Sequence, residues 1–417
     1  MPVSCSVGGV WVNILILVHY AGLGGASRSV SIVVEQLLTA SVHVFILSPP
    51  GPMCGLWTGW GAEVLVWDPP ICQWMGGEVV SSSSPACGWN VVPYRMLTLA
   101  KLPLRVVRGR QLILEIVQRE SIDAIYVNSL VLFPIANALA SLRKEGVRVV
   151  WQVREMLNER MTRSVHRKIA TSIARASEVV MAISTNEAAV FERLTSVRVI
   201  HNCVPTEWSR ADVTQDMKGI PRVCMASEFH AGKGVSDFWR MAKIIREQYT
   251  GVECTLFTPR PRLRGGPTSR MLRGVGLWND KVTLICDMLD EAVGLSLSGN
   301  VSVIFDHAME LETYCRATVY VRADRAGCPW GRDIIEAMWA GVPVVATGSS
   351  QEFVLDQQTG FLVPPGNVEL LADCVGRLLK DPQLHRDMSR AARERALQLF
   401  SPAAHRAKLL AVLGQGT

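Results

Sequence analysis

The segment from residue 319 to residue 365 constrains the fold of this chain more than any other part of the sequence. An apolar, β-branched run, Val319 to Val321, is followed by a loop that contains glycine and proline. A helix with apolar residues at helical spacing then ends at Gly341, and Val344 to Thr347 returns as a second apolar strand. A strand, a loop, a helix and a strand in this order predict a right-handed βαβ unit of a parallel sheet.

Glu336 marks a candidate site within this unit. In parallel sheets, ligands lie beyond the carboxyl ends of the strands, close to helix N-termini that attract phosphate. Glu336 lies one turn into the predicted helix, where its carboxylate can accept hydrogen bonds from sugar hydroxyl groups. The alternative is an ordinary helix of a parallel sheet that carries a solvated glutamate.

The amino-terminal part repeats the pattern of strand, glycine-rich loop and helix. Trp11 to Val18 is a predicted buried strand, and Gly22, Gly24 and Gly25 follow it. Glycines let a backbone approach a ligand closely, because no Cβ intervenes. As a dinucleotide-binding fingerprint the loop is incomplete, since the third glycine would fall at Ser27. A plain tight turn is the alternative, above all for Gly22.

Other apolar runs extend this architecture over the chain. Further strands are predicted at Val42 to Leu47, Ile122 to Val127, Val147 to Val153 and Val179 to Ile183. The gaps between them can hold helices, so the sequence indicates an α/β protein with parallel sheets. The length of 417 residues suits two or three domains. The polar stretch from Thr206 to Gly219 marks the predicted boundary.

Composition and missing motifs narrow the function. The net charge of +6 is too small and too scattered to indicate nucleic-acid binding. The eleven cysteines include no C-x-x-C pair and no His/Cys cluster at zinc spacing, so Cys224, Cys254 and Cys374 are predicted to be reduced core residues of a cytoplasmic protein. No segment is predicted to span a membrane. The sequence has no D-x-D metal site, P-loop or G-x-S-x-G elbow.

Several stretches resemble one enzyme family. The letters G-R-D-I-I-E-A-M-x-A-G-V-P-V-V-A-T from Gly331, then S-x-E ending at Glu352, then T-G-F-L-V-P-P-G from Thr359, look like the donor-binding segment of retaining GT-B glycosyltransferases of family 4 (glycosyl transferases group 1). The resemblance implies an α/β, GT-B fold of two Rossmann-like, doubly wound parallel-sheet domains that face a central cleft. Residues 1–206 would then bind the acceptor and residues 207–396 the nucleotide-sugar donor, while a helix in 397–417 crosses back to the first domain.

The resemblance also implies an activity. A sugar would pass from a UDP- or GDP-linked donor to a hydroxyl group of a carbohydrate, a lipid-linked or another acceptor, with retention at the anomeric carbon. Hexosyl transfer (EC 2.4) without a metal ion or other cofactor is expected, in polysaccharide or glycoconjugate biosynthesis. The expected location is the cytoplasm, with peripheral contact at the inner face of the membrane as an option and no nucleic-acid partner.

The implied catalytic set is Glu336, Lys233 and Cys328. Glu336 matches the second glutamate of the family's E-x7-E signature, which holds the ribose of the donor. Cys328 stands at the place of the first glutamate, which contacts the transferred sugar, and a thiol forms much weaker hydrogen bonds. Asp324 is a nearby acid whose part the sequence leaves open. The implied donor-binding set is Gly24, Gly25, Gly331, Arg332, Asp333, Glu336, Lys233, Gly234 and Glu352, with Glu352 orienting the loop beneath Glu336.

The loop E-F-H-A-G-K-G-V resembles the family's G-R-x4-K-G loop, in which an arginine and a lysine clamp the donor diphosphate. Lys233 and Gly234 match, but Glu228 occupies the place of the arginine. Repulsion between a carboxylate and a diphosphate at 4–5 Å would cost on the order of several kcal/mol at an effective dielectric near 20. Other cations would have to supply the missing charge, and the candidates are Arg332, Arg260, Arg262 and Arg264. The alternative for the basic loop from Pro259 is a solvated insertion.

Further residues of the implied cleft come mainly from the first domain. They are His19, Gln152, Arg154, Glu155, Asn202 and Glu228. Gln152 stands where many relatives place a histidine, and a glutamine cannot carry a proton near neutral pH. Cys203 replaces a family glycine. For Arg154 and Glu155, a solvated or mutually paired couple of charges is the alternative.

Residues 49–119 resemble the family least. The tryptophans of this segment, Trp57, Trp60, Trp67, Trp74 and Trp89, could stack on sugar rings, but packing in a core or loop is the commoner fate. From Tyr94 to Arg110 basic residues alternate with aliphatic ones. This pattern suits an ordinary half-buried helix, with a membrane-surface helix as the alternative, and Pro103 is expected to interrupt it.

Two other functions stay open at this point. A non-catalytic relative would keep the fold and bind a nucleotide sugar or a partner protein, and the departures at Cys328, Glu228, Gln152 and Cys203 favour it. A GT-B epimerase would act on a nucleotide sugar without an acceptor.

Overall fold

The computed structural model describes residues 13–22, 24–71, 92–157, 162–211, 219–228, 231–258, 301–305 and 310–414. Contacts divide the chain into two units. The first holds the described residues from 13 to 71, those from 94 to 202, and the segment from Ala403, whereas the second holds Cys203 to Pro402. The boundaries that the sequence suggests, after residues 206 and 396, both lie within the second unit.

The first unit is built on a sheet of seven parallel strands. They are β1 (Asn13–Val18), β2 (His43–Ser48), β3 (Glu63–Val66), β4 (Ala124–Asn128), β5 (Arg148–Val153), β6 (Val179–Ala182) and β7 (Ser196–Val199). Their order in space is β3-β2-β1-β4-β5-β6-β7, so the chain starts in the middle and winds to both sides. The predicted strands are confirmed within two residues at each described end, and Trp11 lies outside the described residues.

The described part of the chain before residue 203 contains six α-helices. They are α1 (Gly25–Thr39), α2 (Pro52–Gly59), α3 (Val92–Arg119), α4 (Ala136–Lys144), α5 (Arg163–Ala176) and α6 (Thr185–Ala188). The expectation that Pro103 interrupts its helix is wrong, because α3 runs through it. Pro103 is exposed, so the carbonyl that loses its N–H partner one turn earlier can bond to water. Leu102, Arg105, Val106 and Gly109 face inward at helical spacing, which confirms a half-buried helix.

Two of the three tryptophans that the structure describes in this segment are packing residues. Trp57 is fully buried and its indole N–H donates to Oγ of Ser31 at 2.9 Å. Trp67 is buried as well and donates to the carbonyl of Val18 at 3.0 Å. Trp60 is exposed. Trp74 and Trp89 lie outside the described residues. No helix in the described ranges has the length and apolar character that crossing a bilayer requires.

The second unit contains a sheet of six parallel strands. The strands are β8 (Arg222–Ala226), β9 (Glu253–Thr258), β10 (Val301–Phe305), β11 (Val319–Arg322), β12 (Val344–Thr347) and β13 (Gly360–Val363), in the spatial order β10-β9-β8-β11-β12-β13. The described helices are α7 (Val235–Gln248), α8 (Leu311–Cys315), α9 (Arg332–Trp339), α10 (Val368–Lys380) and α11 (Pro382–Leu399). The predicted βαβ unit is therefore confirmed as β11, α9 and β12, which pair in parallel.

The last helix, α12 (Pro402–Leu413), packs on the first unit. Leu409 and Leu413 are buried in the same cluster as Val30 and Val34 of α1. Nδ1 of His405 lies 2.7 Å from the side-chain oxygen of Gln36. The chain thus returns at its end to the unit in which it begins.

The inner strands of both sheets are buried on both faces, which is why they are largely apolar, whereas the edge strands β3 and β7 are partly exposed. On β1, Leu15 and Leu17 enter one core cluster, whereas Ile14 and Ile16 enter another. Alternate side chains point to opposite faces of a strand, so a continuous apolar run feeds two cores. Burying each such side chain stabilises the fold by roughly 1.5–3 kcal/mol.

A close backbone contact joins the loop before α7 to the end of β11. Gly234 has φ of +70°, and a Cβ at this position would lie 1.8 Å from the carbonyl oxygen of Ala323. The N–H of Arg325 donates to the carbonyl of Gly232 at 2.8 Å. Only glycine fits this contact, and the contact fixes the position of the backbone at the neighbouring Lys233.

We expect Gly234→Ala to destabilise the second unit far more than Gly251→Ala. Gly251 also has positive φ, +81°, but no atom lies within 4 Å of its would-be Cβ. The control should show backbone strain alone, about 1–2 kcal/mol. Gly234→Ala adds a steric overlap and should lower Tm by roughly 5–15 °C in a thermal scan. Equal losses of Tm in the two variants would contradict the close contact.

Buried His385 makes stability depend on pH. Its Nε2 donates to the carbonyl of Thr318 at 2.8 Å, and burial lowers the pKa of His385. The unfolded chain therefore binds the proton first as pH falls, so this stability is present above about pH 6.5 and is lost below it. Between pH 7.5 and 5.5 the loss should reach at most about 1.4 kcal/mol. His385→Gln should flatten the dependence of Tm on pH over this range. Parallel curves for the two proteins would show that His385 does not titrate in this way.

Candidate functional site

Glu336 is a buried carboxylate one turn into α9. It is 2% exposed, and its Oε1 accepts a hydrogen bond from Nη2 of Arg332 at 3.0 Å. Its Oε2 accepts from the hydroxyl of Tyr314 at 3.1 Å. Burial and the Glu336 carboxylate raise the pKa of Tyr314, so this hydroxyl keeps its proton and donates. The alternative of a solvated glutamate is therefore wrong.

Arg322, at the end of β11, joins two carboxylates. Its Nη1 lies 2.6 Å from Oδ1 of Asp333, and its Nη2 lies 3.5 Å from Oδ2 of Asp324. Its Nε donates to the carbonyl of Cys328 at 2.9 Å. Burial alone would lower the pKa of Arg322, but the carboxylates of Asp333 and Asp324 outweigh it and raise the pKa. The guanidinium thus stays charged and fixes the loop before α9.

Asp333 lies in the first turn of α9 and is held by two side chains of β11. Besides Arg322, it accepts a hydrogen bond from the hydroxyl of Tyr320 at 2.9 Å. Burial, and then the Asp333 carboxylate, raise the pKa of Tyr320. A Cβ on Gly331 would lie 2.6 Å from Oδ1 of Asp333 and 2.8 Å from Nη1 of Arg322, so another residue here would displace the ends of these two side chains.

Lys233 pairs with Asp324, which lies in the loop after β11. Its Nζ lies 3.0 Å from Oδ2 of Asp324, whose side chain is only 3% exposed. Arg325, the next residue of the β11 loop, forms two bonds of 2.8 and 2.6 Å to the buried carboxylate of Asp237 on α7. The two loops are therefore joined by adjacent ion pairs.

Among the described residues, the basic side chains that surround Glu336 and Lys233 at the carboxyl end of this sheet all contact carboxylates. Four cations contact four carboxylates, namely Lys233, Arg322, Arg325 and Arg332 with Asp324, Asp333, Asp237 and Glu336. Because each cation already has an anionic partner, the electrostatic attraction for a free anion is weaker than the number of basic residues suggests. Arg260, Arg262 and Arg264 lie outside the described residues.

The structure also describes the surroundings of three further predicted residues, Glu352, Cys328 and Glu228. The loop of Glu352 is anchored by Arg395 of α11, which donates to the carbonyls of Gln351, Glu352 and Phe353. Sγ of Cys328 lies 3.8 Å from the carbonyl of Ala326. Glu228 is exposed at the end of β8. The functional roles assigned to Glu352, Cys328 and Glu228 stay predictions.

In the first unit, Arg154 lies just beyond β5 and is held by neutral oxygens. Its Nε donates to Oδ1 of Asn128 at 2.8 Å, its Nη2 donates to the hydroxyl of Tyr126 at 3.2 Å, and its Nη1 donates to Oδ1 of Asn202. Glu155 instead accepts from the backbone N–H groups of Leu130 and Arg154, at 3.2 and 3.3 Å. The two side chains do not form the mutual pair that sequence reasoning left open.

His19 and Gln152 belong to the same group of side chains. Nδ1 of His19 donates to the carbonyl of Asn128 at 3.2 Å, which leaves Nε2 unprotonated in the neutral ring. Burial lowers the pKa of His19, against the opposite effect of the Glu155 carboxylate. Gln152 is 2% exposed, and its Oε1 accepts from the hydroxyl of Tyr126 at 3.2 Å. The ends of β1, β4 and β5 therefore meet in one polar group.

Sequence reasoning missed several members of these two groups. Arg322, Tyr314 and Tyr320 contact the predicted residues of the second unit, and Asn128 and Tyr126 contact those of the first. Asn128 and Arg322 each end a strand, and this position at a carboxyl end was the available signal. The tyrosines carry no such signal, because they lie within a strand or on another helix. Gly24 and Gly25 begin α1, where Gly24 has extended backbone geometry.

Comparison with known proteins connects this geometry to a family. The model of glycosyl transferases group 1 matches residues 289–395, and the model of glycosyltransferase family 4 matches residues 23–208. The trehalose synthase of Pyrococcus horikoshii is 27% identical over 195 residues, which are 46% of this chain and 43% of that protein. The N-acetyl-alpha-D-glucosaminyl L-malate synthase of Bacillus anthracis is 38% identical over 73 residues, 17% of this chain and 19% of that protein. The matched segments span less than half the length of these curated relatives.

A solved structure agrees with the fold over nearly the whole chain. Anabaena HepE in complex with UDP and glucose is similar with a TM-score of 0.71 and 18% identity, over 97% of this chain and 99% of that one. A likeness at this level of identity shows the fold alone. Taken with the two family models and the two parallel sheets, it shows that the chain belongs to the GT-B glycosyltransferases of the family 4 type.

Proposed function

We propose that this chain transfers a sugar from a nucleotide-sugar donor to a hydroxyl acceptor, and that the second unit binds the donor. The observation that carries the proposal is the buried Glu336 carboxylate, fixed by Arg332 and Tyr314 at the carboxyl end of a parallel sheet. This is the part of such a sheet where ligands bind. The complex of HepE with UDP and glucose supports a donor of the same chemical class.

Glu336 would hold the ribose of the donor. Arg332 and Tyr314 orient this carboxylate. A carboxylate is an acceptor that suits the two neighbouring hydroxyl groups of a ribose. Because Arg332 and Tyr314 are themselves buried or half-buried, the carboxylate is already oriented before the ribose hydroxyl groups bind.

Lys233 and the N-terminus of α9 would stabilise the departing diphosphate. The first N–H groups of a helix carry partial positive charge and bind phosphate. Lys233 adds a full charge and further N–H donors. Among the described residues, Arg322, Arg325 and Arg332 also contact carboxylates, so the diphosphate would depend mainly on Lys233 and the helix amides. We propose that the reaction needs no metal ion. We assign no protein nucleophile, so retention would follow from reaction on one face of the sugar, with the leaving phosphate assisting the acceptor.

The acceptor would meet the polar group around Arg154 in the first unit. His19 offers an unprotonated Nε2, and Glu155 offers carboxylate oxygens, so the group can accept and donate hydrogen bonds to hydroxyls. A carbohydrate or a lipid-linked sugar would fit this chemistry. Hexosyl transfer in polysaccharide or glycoconjugate biosynthesis, in the cytoplasm or at the inner face of the membrane, is the role that we propose.

A non-catalytic nucleotide-sugar-binding relative is the second candidate. One observation favours it. Cys328 stands at the place of the family's first acid, and it contacts Arg322 through its backbone carbonyl and offers a thiol instead of a carboxylate. Binding without turnover would identify this candidate.

Lys233→Met should weaken nucleoside diphosphate binding. We expect the Kd of UDP or GDP, whichever binds the wild type, to rise roughly 10- to 100-fold, because a charge-assisted hydrogen bond is lost. Lys243→Met is the matched control: it removes the same charge from an exposed position on α7. Calorimetric titration measures both values. Equal affinity in the wild type and Lys233→Met would contradict the proposed diphosphate site.

Turnover separates the enzyme from the binding protein. A panel of UDP- and GDP-sugars, with release of UDP or GDP as the readout, should give donor-dependent turnover in the wild type. Glu336→Gln keeps the shape of the side chain but removes its charge beside Arg332, and we expect at least about a ten-fold loss of kcat/KM. Tight binding with no turnover on any donor and acceptor would favour the second candidate instead.

A further inference from the structure

Lys233 is tied to a rigid acid that sequence reasoning did not assign. Its side chain is 41% exposed, whereas that of Asp324 is 3% exposed. Asp324 is itself held in place, because its Oδ1 accepts from the N–H of Ala326 at 2.9 Å and its carbonyl accepts from the hydroxyl of Thr347 at 2.5 Å. A flexible surface lysine is thus anchored at its tip by a carboxylate that cannot move.

The anchor leaves most of the ammonium group available. An ammonium has three N–H donors, and Asp324 accepts from one of them. Within the part of the chain that the structure describes, no other acceptor contacts Lys233. A diphosphate oxygen can therefore bind to Lys233 while the bond to Asp324 is kept.

Asp324 could help or hinder anion binding, and its surroundings decide between these effects. Its negative charge would repel a diphosphate, but Nη2 of Arg322, which also binds Asp333, lies 3.5 Å from the same oxygen and offsets part of that charge. Lysine is among the side chains that lose most rotamer freedom when they are fixed. By fixing Lys233 before the ligand arrives, Asp324 removes part of this loss from the binding step.

We propose that Asp324 is a positioning residue of the donor site, which holds the ammonium of Lys233 where the donor diphosphate binds. The proposal rests on the proposed function, because it needs a nucleoside diphosphate at this site. It also gives a part to the acid in the loop after β11, four residues before Cys328. Asp324 would act on the diphosphate through Lys233 and would not touch the transferred sugar.

A double-mutant cycle with UDP as the probe tests this coupling, with GDP in its place if the wild type binds only GDP. In Asp324→Asn, the amide oxygen can keep the bond to Ala326, so the NH2 group faces the ammonium and displaces it. We expect the Kd to rise roughly 5- to 20-fold in the wild-type background and less than about 2-fold in Lys233→Met. A merely structural part for Asp324 would give the same factor in both backgrounds.

Asp237→Asn is the matched control. Asp237 forms a buried ion pair with Arg325 and so joins the same two loops, but it does not contact Lys233. Its replacement should change the Kd less than about 2-fold, while Tm falls as in Asp324→Asn. If Asp324→Asn does not fold, Asp324→Glu replaces it in the cycle, since the longer side chain keeps the charge beside Arg322 and shifts the ammonium.

The outcomes separate this proposal from the proposed function. Tighter UDP binding in Asp324→Asn, equal losses in both backgrounds, or an equal loss in Asp237→Asn would each overturn the positioning part while the donor site stands. A wild type that binds neither UDP nor GDP and turns over no nucleotide sugar would end the proposed function, and the positioning part with it.

Discussion

The pairing of buried charges at the carboxyl end of β11 is the constraint on which the rest of the second unit depends. A buried carboxylate without a partner costs several kcal/mol, and breaking one partner of a buried pair is strongly destabilising. Glu336, Asp324 and Asp237 are each 2–3% exposed, and each contacts a cation. The Lys233–Asp324 and Arg325–Asp237 pairs join the loop after β11 to the loop before α7 and the first turn of α7, whereas Arg332 and Glu336 pair within α9. The requirement for pairing therefore holds these segments together. The same ion pairs that stabilise the fold therefore also position the side chains of the site.

Much of the fold could be predicted from the sequence, because the apolar runs repeat with the period of buried parallel strands. β11, α9 and β12 appear within one or two residues of their predicted positions. Pro103 shows the limit of local rules, since a proline on an exposed helix face is tolerated when water replaces the lost bond. In the site, Glu336 and Lys233 were found from a motif. Their partners were not, because Tyr314 and Asp324 lie 22 and 91 residues away from them and spacing alone does not reveal such contacts.

Charge balance explains why one lysine carries so much of the proposed chemistry. A guanidinium that is already paired with a carboxylate adds little electrostatic attraction for a diphosphate, although it holds the surrounding side chains in place. A lysine anchored at one N–H is different, because it offers further donors without breaking its existing pair. Helix amides share this property, since the first N–H groups of α9 have no partner within the helix. A diphosphate would therefore bind to N–H donors that the fold orients and that can still accept a ligand as partner.

The departures from the family pattern fall where the fold supplies compensation. Gln152 accepts from Tyr126, which in turn accepts from Arg154, so the glutamine completes a buried network that leaves no polar group unsatisfied. Glu228 is exposed, and solvent screens its charge. At Cys328 the structure uses the backbone carbonyl, which Arg322 binds whatever side chain is present. In the residues that the structure describes, Gln152 and the backbone of Cys328 thus form ordered contacts, so these two departures leave the surrounding hydrogen bonds intact.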